Sequence, residues 1–478
     1  MQKVIANNFK FRKNGKPAEE LTDTHRFSYS EKYFTDELVL NLKTRFLALA
    51  IFAFFFIENG GLGLIPDKYV IVYRSVKISD FILYGLVFYS LFMYKEYKDL
   101  FSSKALLLPK IFLAYLLFEF LVSFIKYGFN PLEYFFRLKG VWTSFLIFPF
   151  LLLLKRKGLP FLIKIMLPIA IISNVLYILS AITGIPFLAG VSIVKQRISG
   201  DIEVFRVYGG TFYGELFYLG FVYFWITKKF RLWQMFLVVL FIIPHILAFG
   251  RTAWAYFIFI IVLMIVFNSL RKKKIRVLFR QALIMVLLAA GIIIGFIQFI
   301  PESDFYIDAV KARLSQGQED VKYDEGTFGT KTLTQNSALV KLWSESDIIL
   351  GIGMHPMWVV EPQSREETIY YSAFCDVGWP AVLAAYGLIG LILAVIIQIY
   401  FIIISYRMIR KIPDGTIWGF FTVAFFSKLV FDMVVTFSFV FVSTALWGFF
   451  FINYKIAIAV YIYEKVRQAK LTGEPIKI

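Results

Sequence analysis

The sequence predicts an all-α polytopic membrane protein with about twelve transmembrane helices, on three observations. Of its 478 residues 59% are hydrophobic, with 55 Phe and 27 Tyr, and the mean hydropathy is +0.69. A soluble domain cannot hide that much apolar surface, because single cores stop growing at about 250–300 residues. Apolar runs of about 20 residues recur, the length that crosses a hydrocarbon layer of about 30 Å. Finally, lysine and arginine gather in alternate connections between those runs.

The runs lie at 45–64, 78–96, 105–127, 138–155, 160–184, 208–227, 232–249, 252–270, 278–300, 379–406, 415–434 and 437–463. They divide the chain into a tail at 1–44, nine helices within 45–300, a long loop at 301–378, three helices within 379–463, and a tail at 464–478. The tail 1–44 is polar and charged, and the first apolar run begins near Phe46, so no secretory signal peptide is expected.

Charge sets the orientation. Basic residues cluster at Lys10, Arg12, Lys13, Lys16, Lys43 and Arg45, then at Lys95 and Lys98, at Lys155, Arg156 and Lys157, and at Lys228, Lys229 and Arg231. "RKKKIR" (271–276), Arg407, Arg410 and Lys411, and finally Lys465, Arg467 and Lys470 continue the series. Under a twelve-span count all of these share one side, which the positive-inside bias makes cytoplasmic. Both termini are therefore expected in the cytoplasm and the chain in the cytoplasmic (inner) membrane. Lys68, Arg74 and Lys77 in the first outer loop run against the trend.

The same bias accounts for the net charge of +18 without nucleic acid. The single cysteine, Cys375, excludes an intramolecular disulfide and a cysteine metal site. His25, His245 and His355 lie far apart with no metal-ligand spacing.

The outer side receives Arg137, the segment 185–207, the pair Gly250–Arg251 and the loop 301–378. That loop is too long for a bare connection, and its aromatic content predicts a folded cap with short helices near 304–317 and 332–346. No repeat relates the two halves, which argues against an inverted-repeat transporter.

Arg251 stands out, in "HILAFGRTAW" (245–254). Gly250 reads as a turn between two spans and Thr252 as the N-cap of the second, which sets Arg251 beside a helix N-terminus suited to phosphate. Its planar fork matches pyrophosphate; the competing role is snorkelling to lipid headgroups. His245 lies deeper and reads as structural. Arg206 opens "RVYGGTFYGELF", whose Gly209, Gly210 and Gly214 permit close backbone approach to a ligand. Glu215 follows inside an apolar run, either as a site group or as one half of a structural ion pair. Arg137 reads as an interfacial anchor, and Asp432 as a support for a basic side chain or a group facing water. In the long loop, His355 follows a glycine pair, Arg365 lies in "SREET", Asp376 stands where the chain re-enters the bilayer, and Arg313 sits on an amphipathic stretch.

With these residues in view, the chain resembles the bacterial O-antigen ligase and O-antigen polymerase superfamily of membrane glycosyltransferases. "RVYGGTFYGELF" is similar to that family's Arg-x-x-Gly-Thr-Phe segment, and "FGRTAW" to its Ser-Arg-Gly-type hairpin. "LVKLWSESDIILGIG" (339–353) followed by "AAYGLIGL" (384–391) resembles its tryptophan element and the Gly-Leu-Ile-Gly that opens the next span. Asp376 stands where the ligases carry a histidine, which favours the polymerases. Tyr213-Gly214-Glu215 replaces a Pro-Asn pair, and Gln335 and Asn336 occupy a region that often holds an arginine.

The resemblance implies a GT-C-like fold and a metal-independent, cofactor-free transfer. The donor would be an oligosaccharide on undecaprenyl pyrophosphate, the acceptor a second lipid-linked repeat unit, with a chain-length regulator and a flippase as partners. Arg251, Arg206 and Arg365 would bind pyrophosphate with Arg313 in a lesser role, and Asp376, His355 or Glu215 would serve as base. The alternatives are a ligase using another acceptor, a peptidoglycan-type polymerase, and a transporter of lipid-linked sugars.

Overall fold

The computed structural model describes residues 41–58, 65, 69–73, 76–127, 142–188, 192–199, 202–208 and 232–247, scattered positions from 254 to 315, and 348–351, 379–409, 411, 417–431 and 446–472. Among them α-helices of defined extent follow the apolar runs, with one short helix, Lys98–Phe101, in a connection. They are α1 (Leu42–Glu58), α2 (Ile78–Phe92), α3 (Lys98–Phe101), α4 (Leu107–Tyr127), α5 (Ile147–Lys155), α6 (Leu159–Thr183), α7 (Leu232–Leu247), α8 (Trp379–Ile409), α9 (Ile417–Phe431) and α10 (Leu446–Thr472). Lys104–Ile125, Leu159–Thr183 and Tyr386–Ile409 are long and apolar enough to cross a membrane. Ile78–Phe92 and Tyr94–Phe101, bent by 68°, make a fourth candidate as a broken span.

Local sequence explains where the helices start and stop. The Asn41 side chain accepts the Lys43 N–H at 3.2 Å and so supplies one partner to the first turn of α1. The run ends at Glu58, before a glycine-rich stretch with Pro66. Asp80 accepts the Lys77 N–H at 2.8 Å at the start of α2. Beyond the bend, Ser103 accepts the Ala105 N–H at 3.1 Å and donates to Glu464 of α10 at 2.6 Å. One hydroxyl thus caps a turn and ties it to the far end of the chain.

A single hydrophobic cluster runs through nearly the whole bundle, from Leu47 and Phe54 of α1 through Phe112 of α4, Leu151 of α5 and Phe401 of α8 to Ile458 of α10. α1 packs on α2, α5 on α10, α6 on α7, and α8 on both α4 and α9. α4 and α8 run antiparallel: Tyr115 donates to Tyr386 O at 2.6 Å, while Tyr400 donates to Lys104 O at 3.1 Å.

Three of the basic clusters expected on one side meet at one end of this bundle. Arg156 forks onto Glu96 with two bonds of 2.8 Å, and donates to the Tyr89 hydroxyl at 3.0 Å. Lys155 pairs with Asp99 at 2.5 Å, and Arg467 with Glu464 at 2.7 Å. The start of α1 joins them, with Arg45 over the Phe161 ring at 5.9 Å. At the opposite end Glu58 accepts the Ser79 hydroxyl, and Lys77 donates to Glu58 O at 3.4 Å.

Two features depart from the expected pattern. The fold is not purely helical: β1 (Ile71–Tyr73) pairs with β2 (Val76–Lys77), and β3 (Ser192–Ser199) with β4 (Ile202–Tyr208), both antiparallel. The second ribbon follows from two β-prone stretches, "SIVKQRIS" and "IEVFRVY", flanking Gly200–Asp201, a two-residue hairpin signal rather than a connection. α10 also runs past 463 to Thr472, held by the buried Glu464.

The Arg156 fork is the best-formed ion pair at the basic end, with its guanidinium 10% exposed and Glu96 45% exposed. Arg156→Ala should lower unfolding stability by about 1 kcal/mol, the upper range for partly exposed pairs. Thermal unfolding in detergent measures it, and Glu96→Gln should cost less because the neutral amide still accepts from Arg156.

Candidate functional site

The end opposite the basic clusters is built on the C-termini of α6 and α7. α6 closes at Gly184, whose φ of +68° is left-handed and whose N–H reaches Ser180 O at 3.0 Å. A Cβ there would stand 2.8 Å from the Phe205 ring of β4, so the ring lies directly on the cap. Tyr177, Ala181 and Leu188 cluster with Leu247 at the end of α7, and Ile193 of β3 and Ile243 pack against them. This small second core holds the ribbon and both helix ends together.

Arg206 follows Phe205 in β4 and pairs in register with Val194. Strand alternation assigns the Arg206 position to the ribbon face opposite Phe205. On α7, His245 is half-buried, and its carbonyl accepts the Trp254 indole N–H at 3.0 Å. Residues 248–253, where the sequence predicts a hairpin and which include Arg251, lie outside the described residues. β4, which carries Arg206, and the end of α7 at Leu247 thus both lie at the C-terminal end of α6.

A second junction joins two stretches that the sequence separates. α8 breaks at Gly387, with φ +61° and ψ −169°. Just beyond the break, Leu388 N–H donates to Ile348 O at 2.9 Å and Ile389 N–H to Ile349 O at 3.3 Å. The "ILG" of 349–351 and the "YGLIG" of 386–390, distant in sequence, are packed together. Tyr115 of α4 donates to Tyr386 O on the other side, and a Cβ on Gly390 would stand 3.0 Å from the Tyr115 ring. One turn from Tyr115, Glu119 is fully buried inside the apolar run of α4. Nothing in the sequence of α4 alone reveals the break that Glu119 lies beside.

The other candidates, Asp376, His355, Glu215, Arg365, Arg313, Arg137 and Asp432, lie outside the described residues. Around Arg313 the backbone is helical at 308–309, 311–312 and 314–315, in the range expected for a short helix. Lys311 and Asp308 pair there at 3.1 Å, both exposed, and Ala309 is buried. Among the described residues, no three His, Cys, Asp or Glu side chains gather as metal ligands.

Gly184→Ala should destabilise the protein by about 1–2 kcal/mol from the left-handed backbone alone. Contact with Phe205 should add to that cost, and Phe205→Ala in the same chain should remove the added part. A double-mutant cycle in detergent unfolding reads the coupling.

No protein family, curated protein or solved structure matches the chain.

Proposed function

We propose that the protein is a polysaccharide polymerase of the cytoplasmic membrane, with twelve spans, both termini in the cytoplasm and the α6–α7 end facing outward. Its donor is a glycan on undecaprenyl pyrophosphate, and its acceptor a second lipid-linked repeat unit. The observation that supports this most is that the strand carrying Arg206 and the end of α7, the helix that precedes Arg251 in sequence, both lie at the end of α6, away from the basic end.

The chemistry needs few parts. An acceptor hydroxyl oxygen attacks the anomeric carbon, the bond from that carbon to pyrophosphate breaks, and the pyrophosphate leaves with the bonding electron pair. The hydroxyl proton passes to a base, for which Asp376 is the first choice and His355 and Glu215 the alternatives. Charge grows on the leaving group, so cations already in place lower the barrier. Arg251 and Arg206 supply them, with Arg365 as a third contact and Arg313 a lesser one. Arg137 and Asp432 serve the same face as anchor and support.

Purified protein given lipid-linked repeat units should produce a ladder of longer glycolipids. Transfer to a different acceptor alone would indicate a ligase, and movement across a bilayer without transfer a carrier. Arg251→Ala should reduce chain extension by about 10²–10³-fold, the usual loss when a preorganised charge-stabilising group is removed. Its abundance in the membrane should not change. Long polymer from this variant would overturn the pyrophosphate assignment.

A further inference from the structure

The break in α8 is costly, and the fold holds it from several directions. A φ of +61° with ψ of −169° belongs to a region that only glycine enters readily, and such conformations persist where position matters. A Cβ on Gly387 would overlap the Ile349 carbonyl and stand 2.5 Å from Gly351 N. The opened helix turn exposes donors at Leu388 and Ile389, and the carbonyls of Ile348 and Ile349 accept them. Tyr115 secures the carbonyl just before the break at 2.6 Å. Tyr386 also begins the part of α8 long and apolar enough to cross a membrane, Tyr386–Ile409. The docked segment therefore replaces helical hydrogen bonding at the head of a candidate span.

We propose that Gly387 and Tyr115 are positioning residues for the transfer reaction: they hold Ile348–Gly351 against the head of this span, and turnover depends on that docking. The proposal rests on the glycosyltransferase reading for its catalytic half. Docking itself stands apart from that reading and is measured separately. A docked backbone that orients reacting groups acts on turnover, whereas the apolar lipid tail of the donor supplies binding.

The test uses the full chain in membranes, with Cys375→Ser as background. Ile349→Cys and Leu388→Cys place thiols on two exposed positions flanking the junction, 64% and 44% exposed. A short, membrane-permeable bifunctional thiol reagent should join them, and Gly387→Ala should abolish the joining. In the ladder assay, at equal amounts of folded protein, Gly387→Ala should lower kcat at least about 10-fold. Tyr115→Phe should lower it about 3-fold, with KM for the lipid-linked donor unchanged. Tyr115→Phe keeps the test decisive should Gly387→Ala fail to fold.

Absence of the cross-link overturns the docking. Unchanged kcat in Tyr115→Phe, or loss confined to abundance and thermal stability, overturns the positioning role. A double-cysteine protein that cross-links, beside a wild-type protein that transfers no glycan, overturns the function and the catalytic half, and leaves the docking standing.

Discussion

In a bundle whose surface is apolar, backbone N–H and C=O groups find no water, and each must be satisfied by the protein itself. That requirement governs most of the polar side chains within the helices. Ser90 donates back to Leu86 O and Val87 O, Ser180 to Leu176 O, and Asn174 to Ala170 O. Gln398 crosses from α8 to Leu429 O of α9 at 3.0 Å. The Trp254 indole meets His245 O near the end of α7. Where a helix ends or breaks, a specific partner has been brought to it, and those are the places where sequence and function can be connected.

The helices were largely legible because a span must be a long apolar run, and "FLALAIFAFFFIE" and "GLIGLILAVIIQIY" announce themselves. The grouping of Lys155, Arg156, Arg467 and Arg45 at one end was legible too, because charge bias alternates with the spans. The β3–β4 ribbon was present as two β-prone stretches flanking Gly200–Asp201, but its length matched a connection and the helical period elsewhere masked it. The break at Gly387 was not legible at all. Its glycine sits in an unbroken apolar run, and only the carbonyls of Ile348 and Ile349 reveal why the helix opens there. Of the candidate site, the sequence identified the arginines by their place against the charge bias. It could not show that β3 and the end of α7 share a small core built on Tyr177 and Leu247.

The two ends of the bundle have different chemistry. At the basic end, positive side chains are paired in place: Arg156 by Glu96, Lys155 by Asp99, and Arg467 by Glu464, which also holds Ser103. These pairs bind the connection after α2 to the end of α5 and the tail of α10, so their work is structural. At the other end the fixed elements are aromatic and aliphatic, with Phe205 on Gly184 and Leu247 among Tyr177 and Ala181. An anion-binding locality fits the second arrangement better. Between α6 and α7 the scaffold is set by packing, with charged side chains holding only the α1–α2 junction at that end.

The distribution of buried charge also bears on the choice between transferase and carrier. A carrier moves a pyrophosphate-linked glycan through the bundle and needs polar groups along the whole path. Among the described residues, the buried ionisable carboxylates are Glu58 and Asp80 at the end of α1 and start of α2, Glu464 at the basic end, and Glu119 within α4. Three of the four belong to ends, where they cap or pair. Glu119 alone lies in the apolar run, and it lies beside Tyr115 and the α8 break rather than in a series of charges. A single carboxylate beside a helix break does not make a path, but it does suit a junction whose geometry must be held. Among the described residues, that distribution of buried carboxylates supports the proposed transferase rather than a carrier.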